Sequence, residues 1–190
     1  EIKGHEEKRG RERPRGEAES REFRGPNWLD LRQAATEYAD RDPEVLVVGG
    51  GQAGLTIAAR LTQLGIDTLI ADREERIGDN WRKRYHALTL HNQVQVNHLP
   101  YMPFPPNWPT YIPKDKLANW FEAYVEAMEL NFWTSTEFLG GSYDESDGRW
   151  TVRLKRNGAE RILRPRHVVM ATGVSGIPNI PDIPSLKNFK

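Results

Sequence analysis

Four apolar residues run straight into three glycines in VLVVGGGQAGL, Val45 to Leu55, and a helical pattern opens directly behind them. No other stretch restricts the fold of this chain so tightly. A short β-branched run that ends on glycine is a buried strand, here Glu44 to Val48, which must reverse at once. Leu55, Ala58, Ala59 and Thr62 then recur at helical spacing, and Gly65 stands where a glycine closes such a helix. TLIAD, Thr68 to Asp72, is a second apolar strand. Strand, helix and strand in this order make a right-handed βαβ unit with parallel strands.

The spacing Gly49-x-Gly51-x-x-Gly54 gives each glycine a mechanical task. Gly49 permits the tight turn off the strand, Gly51 removes the Cβ that would block a pyrophosphate, and Gly54 lets helix and strands approach. Gly50, Gln52 and Ala53 complete the turn, whose helix N-terminus offers free N–H groups and a positive dipole end to phosphates. Asp72 follows eighteen positions after Gly54, at the end of the second strand, where a carboxylate accepts hydrogen bonds from ribose hydroxyls. Strand, turn, helix and acid together indicate dinucleotide binding. Asp72 repels the 2′-phosphate of NADP, with Arg73 beside it as partial compensation, which leaves NAD or FAD. A simple dehydrogenase would continue with further βα units. Here a long loop, a helix and a set of antiparallel strands follow, which favours a flavin.

The remaining elements are read in the same way. Glu1 to Pro26 is dense in charges of both signs with almost nothing to bury, so it is expected to be a mobile linker. Asn27 to Asp40 reads as a short helix capped by Asn27, with Leu31, Ala34, Ala35 and Tyr38 on one stripe. Residues 1–42 are therefore assigned as linker plus short helix, and 43–190 as the folded domain. Lys114 to Leu130 is a helix with Leu117, Trp120, Phe121, Tyr124, Val125 and Met128 on one face. EFLGGSY, RWTVRLK and AERILRP form a small antiparallel layer, with Asn157-Gly158 as a two-residue hairpin turn. HVVMATG, His167 to Gly173, is a further buried strand, and Pro178, Pro181 and Pro184 argue against regular structure after it. The expected class is α/β: a Rossmann-like βαβ domain, incomplete, with a small antiparallel layer.

Composition excludes several functions. Twenty-seven basic residues balance 27 acidic ones, so nothing points to a nucleic-acid or anionic-membrane surface. Apolar runs of a few residues are too short to span a membrane, and the first residues carry no signal-peptide core, so a cytoplasmic location is expected. With no cysteine, thiolate nucleophiles, disulfides and dithiol redox chemistry are ruled out, and with them a disulfide reductase built on the same glycine turn.

GGGQAG, Asp72, GDNWRKRY (Gly78 to Tyr85), LTLHN (Leu88 to Asn92), LPYMPFP (Leu99 to Pro105) and VVMATGVSGIPNIPDIP (Val168 to Pro184) together resemble the N-terminal part of class B flavin-containing monooxygenases. The resemblance covers Glu44 to Lys190. It implies that Gly49 to Gly54 and Asp72 hold the ADP half of FAD, that Asn80 and Trp81 lie near the isoalloxazine, and that Thr172 and Gly173 close the site. The family's active-site asparagine falls on Asn92, with one residue of alignment ambiguity. GDNW departs from the usual GGxW at its second glycine. For an intact enzyme the resemblance implies a cycle in which NADPH reduces FAD and a flavin hydroperoxide oxygenates a small organic substrate with dioxygen. NFK, Asn188 to Lys190, is similar to the start of the family's FxGxxxH fingerprint, and no second glycine turn for NADPH is present. The expectation is a fragment, inactive by itself, whose first residues are similar to the linker behind a nuclear-transport-factor-like domain. A non-catalytic dinucleotide binder and a nicotinamide-dependent oxidoreductase remain as alternatives.

Other features have plainer readings. His86, His91 and His98 lack the spacing of a metal site, so no metal is expected. PYMPFPPNWPTYIP has the proline content of an adaptor ligand, but its aromatics and structured flanks favour a loop packed over the cofactor. Arg82, Lys83 and Arg84 either touch the pyrophosphate or form a solvated face. Phe23 to Trp28 either docks on another domain or has no role.

Overall fold

The computed structural model describes residues 25–174 and 179–188, so most of the expected charged linker and the end of NFK lie outside the described residues. Helix α1 (Trp28–Glu37) precedes β1 (Val45–Val48), α2 (Gln52–Gln63) and β2 (Thr68–Ala71). After a one-turn helix α3 (Asp79–Arg82) and a 3-10 turn at Val94–Val96 come α4 (Lys114–Ala127) and β3 (Asn131–Trp133). Strands β4 (Thr136–Asp144), β5 (Arg149–Arg156) and β6 (Ala159–Leu163) lead into β7 (His167–Met170).

The expected βαβ unit is present: β1 pairs in parallel with β2, Val45 opposite Thr68 and Val48 opposite Ala71. β7 pairs in parallel with β1 on its other side, giving a sheet of order β3-β2-β1-β7. The antiparallel layer β4-β5-β6 is also as expected, and Asn157 and Gly158 both take positive φ, 49° and 86°, as a tight primed turn requires.

Strict alternation along β1 and β2 builds two cores. Val45, Val47 and Ile70 face α2 and α4, packing with Leu55, Ala58, Leu117, Phe121 and Tyr124. Leu46, Val48, Leu69 and Ala71 face the antiparallel layer, packing with Tyr38, Trp133, Val152, Leu154 and Leu163. Burial on both faces explains why these strands are continuously apolar.

Four expectations need correction. β7, expected as a further buried strand, is only partly covered, with His167 and Met170 exposed, because it forms an edge of the sheet. β3, which pairs with β2 in parallel, was not anticipated; three residues are too few to show a period. α1 carries the expected Asn27 cap, closed into a capping box by Asp30, but buries none of its residues, and Leu31 is 58% exposed. It is anchored instead by polar bonds: Arg32 donates to Asn131 Oδ1 and the Glu129 carbonyl, and the Trp133 indole N–H donates to the Thr36 carbonyl at 2.7 Å. From the expected stripe only Tyr38, at the cap beyond the helix, is buried. α4 ends at Ala127 rather than Leu130, because Glu129 takes φ 50° and turns the chain into β3. After the prolines, one 3-10 turn, Leu186–Asn188, interrupts the irregular tail.

Candidate functional site

The carboxyl ends of β1, β2 and β7 lie side by side, and the chain leaves β1 through the glycine turn. Gly49 has φ +108°, and a Cβ there would sit 2.4 Å from the Ala171 carbonyl oxygen. A Cβ on Gly54 would sit 1.9 Å from the Gly49 carbonyl oxygen, so α2 crosses the turn in direct backbone contact. Gly51 differs. Its backbone is extended, φ −80° and ψ −171°, which any residue adopts, and a Cβ would meet only the Asn80 amide nitrogen, at 3.2 Å. Gly51 is therefore not required by packing; the missing side chain keeps a concavity clear. Behind it α2 starts without a side-chain cap, leaving N–H groups of its first turn without intrahelical acceptors and the positive end of its dipole facing that space.

Asp72 is turned into the same crevice. One carboxylate oxygen accepts the Gly50 N–H at 2.5 Å and the other accepts the Glu74 N–H at 2.8 Å. Gly50 thus ties turn to acid, and a Cβ on it would strike the Phe132 ring of β3 at 2.2 Å. Arg73 is 60% exposed in its side chain and lies 3.8 Å from Glu74. The strand-end turn after β7 closes the other flank, with the Thr172 backbone nitrogen 3.3 Å from where a Gly49 Cβ would be and Gly173 at φ +73°. Ala53 is exposed on the first turn of α2.

α3 forms the opposite wall. Gly78, φ +89°, is glycine because a Cβ would lie 2.5 Å from the Ala118 carbonyl oxygen of α4. Asn80 faces Gly51. Trp81 packs, half-buried, against the α2/α4 core, and its indole N–H is enclosed with no acceptor among the described residues. Asp79, where the family motif has glycine, pairs with Arg82 at 3.2 Å. Neither expectation for the Arg82 to Arg84 cluster describes Arg82, which donates to Glu122 of α4 at 2.7 Å. Lys83 pairs with Glu74, and Arg84 donates to the Asn80 carbonyl.

Gly49 to Gly54, Asp72, Asn80 and Thr172 are therefore brought together. Asn92 is exposed, in the loop before the 3-10 turn. Its connection to the crevice runs through Asn97, a residue the sequence reading missed. Asn97 is buried, donates its amide to the Asn92 and Gln93 carbonyls at 3.3 and 2.8 Å, and accepts the Gln52 side-chain amide on its own carbonyl at 3.2 Å. The proline-rich run inserts two side chains, Phe104 and Ile112, into the core, with Phe104 stacked on Trp108, while Tyr101 and Tyr111 are exposed. His98 accepts the Phe104 N–H at 2.9 Å. Among the described residues no acid and histidine group is arranged to hold a metal. No helix among them is long and apolar enough to cross a membrane.

Residues 47–107 match a family model described as an NAD(P)-binding Rossmann-like domain. Indole-3-pyruvate monooxygenase YUCCA1 from Oryza sativa subsp. japonica is 35% identical over 146 residues, 76% of this chain and 35% of that protein. A flavin monooxygenase from Stenotrophomonas maltophilia superposes with TM-score 0.66 at 26% identity, over 78% of this chain and 43% of that one. OTEMO, solved in complex with FAD and NADP, superposes with TM-score 0.63 at 21% identity, over 80% of this chain and 29% of that one, and so shares the fold. The chain spans about a third of the length of the curated relatives it matches.

Proposed function

From this kinship with flavin-dependent monooxygenases, the family the sequence motifs resemble, we propose that the chain is the FAD-binding part of an NADPH-dependent monooxygenase acting on a small organic substrate. The observation that carries the reading is the cleared crevice at Gly51, between the uncapped start of α2 and the Asp72 carboxylate.

The fit is chemical. A diphosphate needs clustered N–H donors and a positive field, which the first turn of α2 supplies. An adenosine ribose needs acceptors, and Asp72, with about four lone-pair sites and two already used, has capacity left. In this reading Gly51, Gln52, Ala53 and Gly54 bind the diphosphate. Gly49 and Gly50 shape the turn, and Asp72 binds the ribose while disfavouring a 2′-phosphate, with Arg73 at its side. Asn80 and Trp81 lie near the flavin, and Thr172 and Gly173 close the crevice. Asn92 is the assigned catalytic residue, placing the nicotinamide and the reactive flavin. FAD, when bound, supplies the electron transfer and oxygen activation; the protein orients it and keeps water away. NADPH binding belongs to the longer enzyme, and residues 43–190 serve as the FAD-binding domain behind the 1–42 linker and helix.

The match to an NAD(P)-binding model supports a second reading, in which the same crevice takes a nicotinamide dinucleotide. Titrating the purified chain with FAD and with NADH separates the two. Flavin retention with weak NADH binding is expected; tight NADH binding with no flavin retention contradicts the proposal. For the enzyme containing this segment, NADPH consumption that requires FAD and dioxygen is expected, and a protein that stays colourless under FAD saturation overturns it.

A further inference from the structure

We infer that Glu122, on α4, is a positioning residue that fixes the wall of the crevice formed by α3. The inference rests on the FAD reading and adds a residue remote in sequence from every motif. A helix of four residues cannot hold its own position, because nucleating one turn costs more than it returns. α3 must therefore be placed from outside, and the structure shows how. Glu122 accepts two hydrogen bonds from Arg76, at 2.5 and 2.8 Å, and one from Arg82 at 2.7 Å. These residues bracket α3. Arg82, 16% exposed in its side chain, also donates to the Ile77 carbonyl at 2.6 Å, to Asp79 at 3.2 Å and to Asn119 at 3.0 Å.

A second anchor acts at the helix end, where buried Lys114 donates to the Arg82 carbonyl at 2.9 Å. Backbone contact between Gly78 and Ala118 sets the spacing. The two arginines are balanced by Asp79 and Glu122. Without the Glu122 carboxylate, Arg82 keeps Asp79 and Asn119, and Arg76 loses the acceptor it holds through two bonds. The far side of α3 carries Asn80 to within 3.2 Å of where a Gly51 Cβ would be. A shift of α3 on α4 thus changes the crevice directly, and charge-assisted bonds to a half-buried arginine are strong enough to resist it.

The test titrates the full chain with FAD, followed by flavin fluorescence and visible absorption, in wild type, Glu122→Gln, Glu122→Asp and Glu126→Gln. Glu126 is an exposed acid on the same helix and controls for loss of charge alone. Glu122→Gln is expected to weaken FAD binding about tenfold and to alter the visible band of the bound flavin, with Glu122→Asp restoring most of both. Glu126→Gln should match wild type. Should Glu122→Gln fail to fold, Arg76→Gln, at a 58% exposed side chain, carries the same test with an expected two- to threefold loss. Wild type that binds FAD while Glu122→Gln binds equally well, or while Glu126→Gln is weakened as much, overturns the role of Glu122 alone. Wild type that binds no FAD overturns the reading beneath it as well.

Discussion

Replacing Gly51 and Gly54 by alanine, one at a time, separates a glycine kept for the fold from one kept for a ligand. At Gly54 the new methyl would lie 1.9 Å from the Gly49 carbonyl oxygen and 3.0 Å from its carbon. Gly49 is held in place, its N–H donating to the Ala71 carbonyl at 2.9 Å. Overpacking costs about 1–3 kcal/mol where side chains can adjust. Against rigid backbone the expected loss is about 3 kcal/mol or more, roughly 6–12 °C in Tm for a domain of this size. At Gly51 the methyl meets one side-chain amide at 3.2 Å, in a backbone conformation alanine adopts freely. Losing a glycine cap costs under about 1 kcal/mol. The same methyl occupies the space in front of the α2 amides, and each hydrogen bond to a charged group is worth about 1.5–3 kcal/mol. FAD affinity should fall about ten- to a hundredfold with the fold intact. Urea denaturation and flavin-fluorescence titration read the two quantities. Equal loss of stability in both variants, or unchanged FAD affinity in Gly51→Ala, would refute the reasoning.

Asn97→Ala removes both side-chain bonds that close the Asn92 loop, and is expected to destabilise the fold by about 1–3 kcal/mol as two hydrogen bonds are lost; hydrogen exchange should then quicken across 92–97 while β1 stays protected. Burial raises the Tyr124 phenol to about 12, with the neighbouring Tyr101 adding to the effect. The unfolded phenol ionises near 10, so the folded chain holds the proton longer, and stability is complete below about pH 10 and falls as pH rises toward 12. Tyr124→Phe should flatten that alkaline slope in denaturation curves taken between those limits, at the cost of the bond to the Pro100 carbonyl. The Glu37 carboxyl is held below its usual range by its hydrogen bond and charge attraction with Arg156. That contribution is present above the ordinary carboxylate pKa and is lost as pH falls through the lowered one. The site is exposed, so Glu37→Gln should change stability by less than about 1 kcal/mol at neutral pH, measured by thermal melts.

What was legible in the sequence was whatever repeats locally. Glycine spacing behind an apolar strand is a backbone requirement, so the β1–α2–β2 unit, and with it the place of Asp72 beside the glycine turn, could be read directly. The same is true of the Asn157-Gly158 hairpin. β3 was missed because Asn131, Phe132 and Trp133 show no period of their own and become a strand only by pairing with β2. α1 was misjudged for a related reason: helical spacing identifies a stripe but not what covers it, and polar anchors from Arg32 and Trp133 hold the helix instead. Asn97 and Glu122 carry no motif. Asn97 acts through a tertiary contact 45 positions from Gln52, and Glu122 through one 40 positions from Arg82.

Amide chemical shifts of isotope-labelled protein, recorded while FAD is added, test most directly whether the turn after β1 holds the dinucleotide. The largest changes are expected at the N–H groups of Gly51 to Gly54, together with Gly50, whose donor is shared with Asp72. FAD that binds while these resonances stay in place, with the changes gathered elsewhere in the chain, would contradict the account.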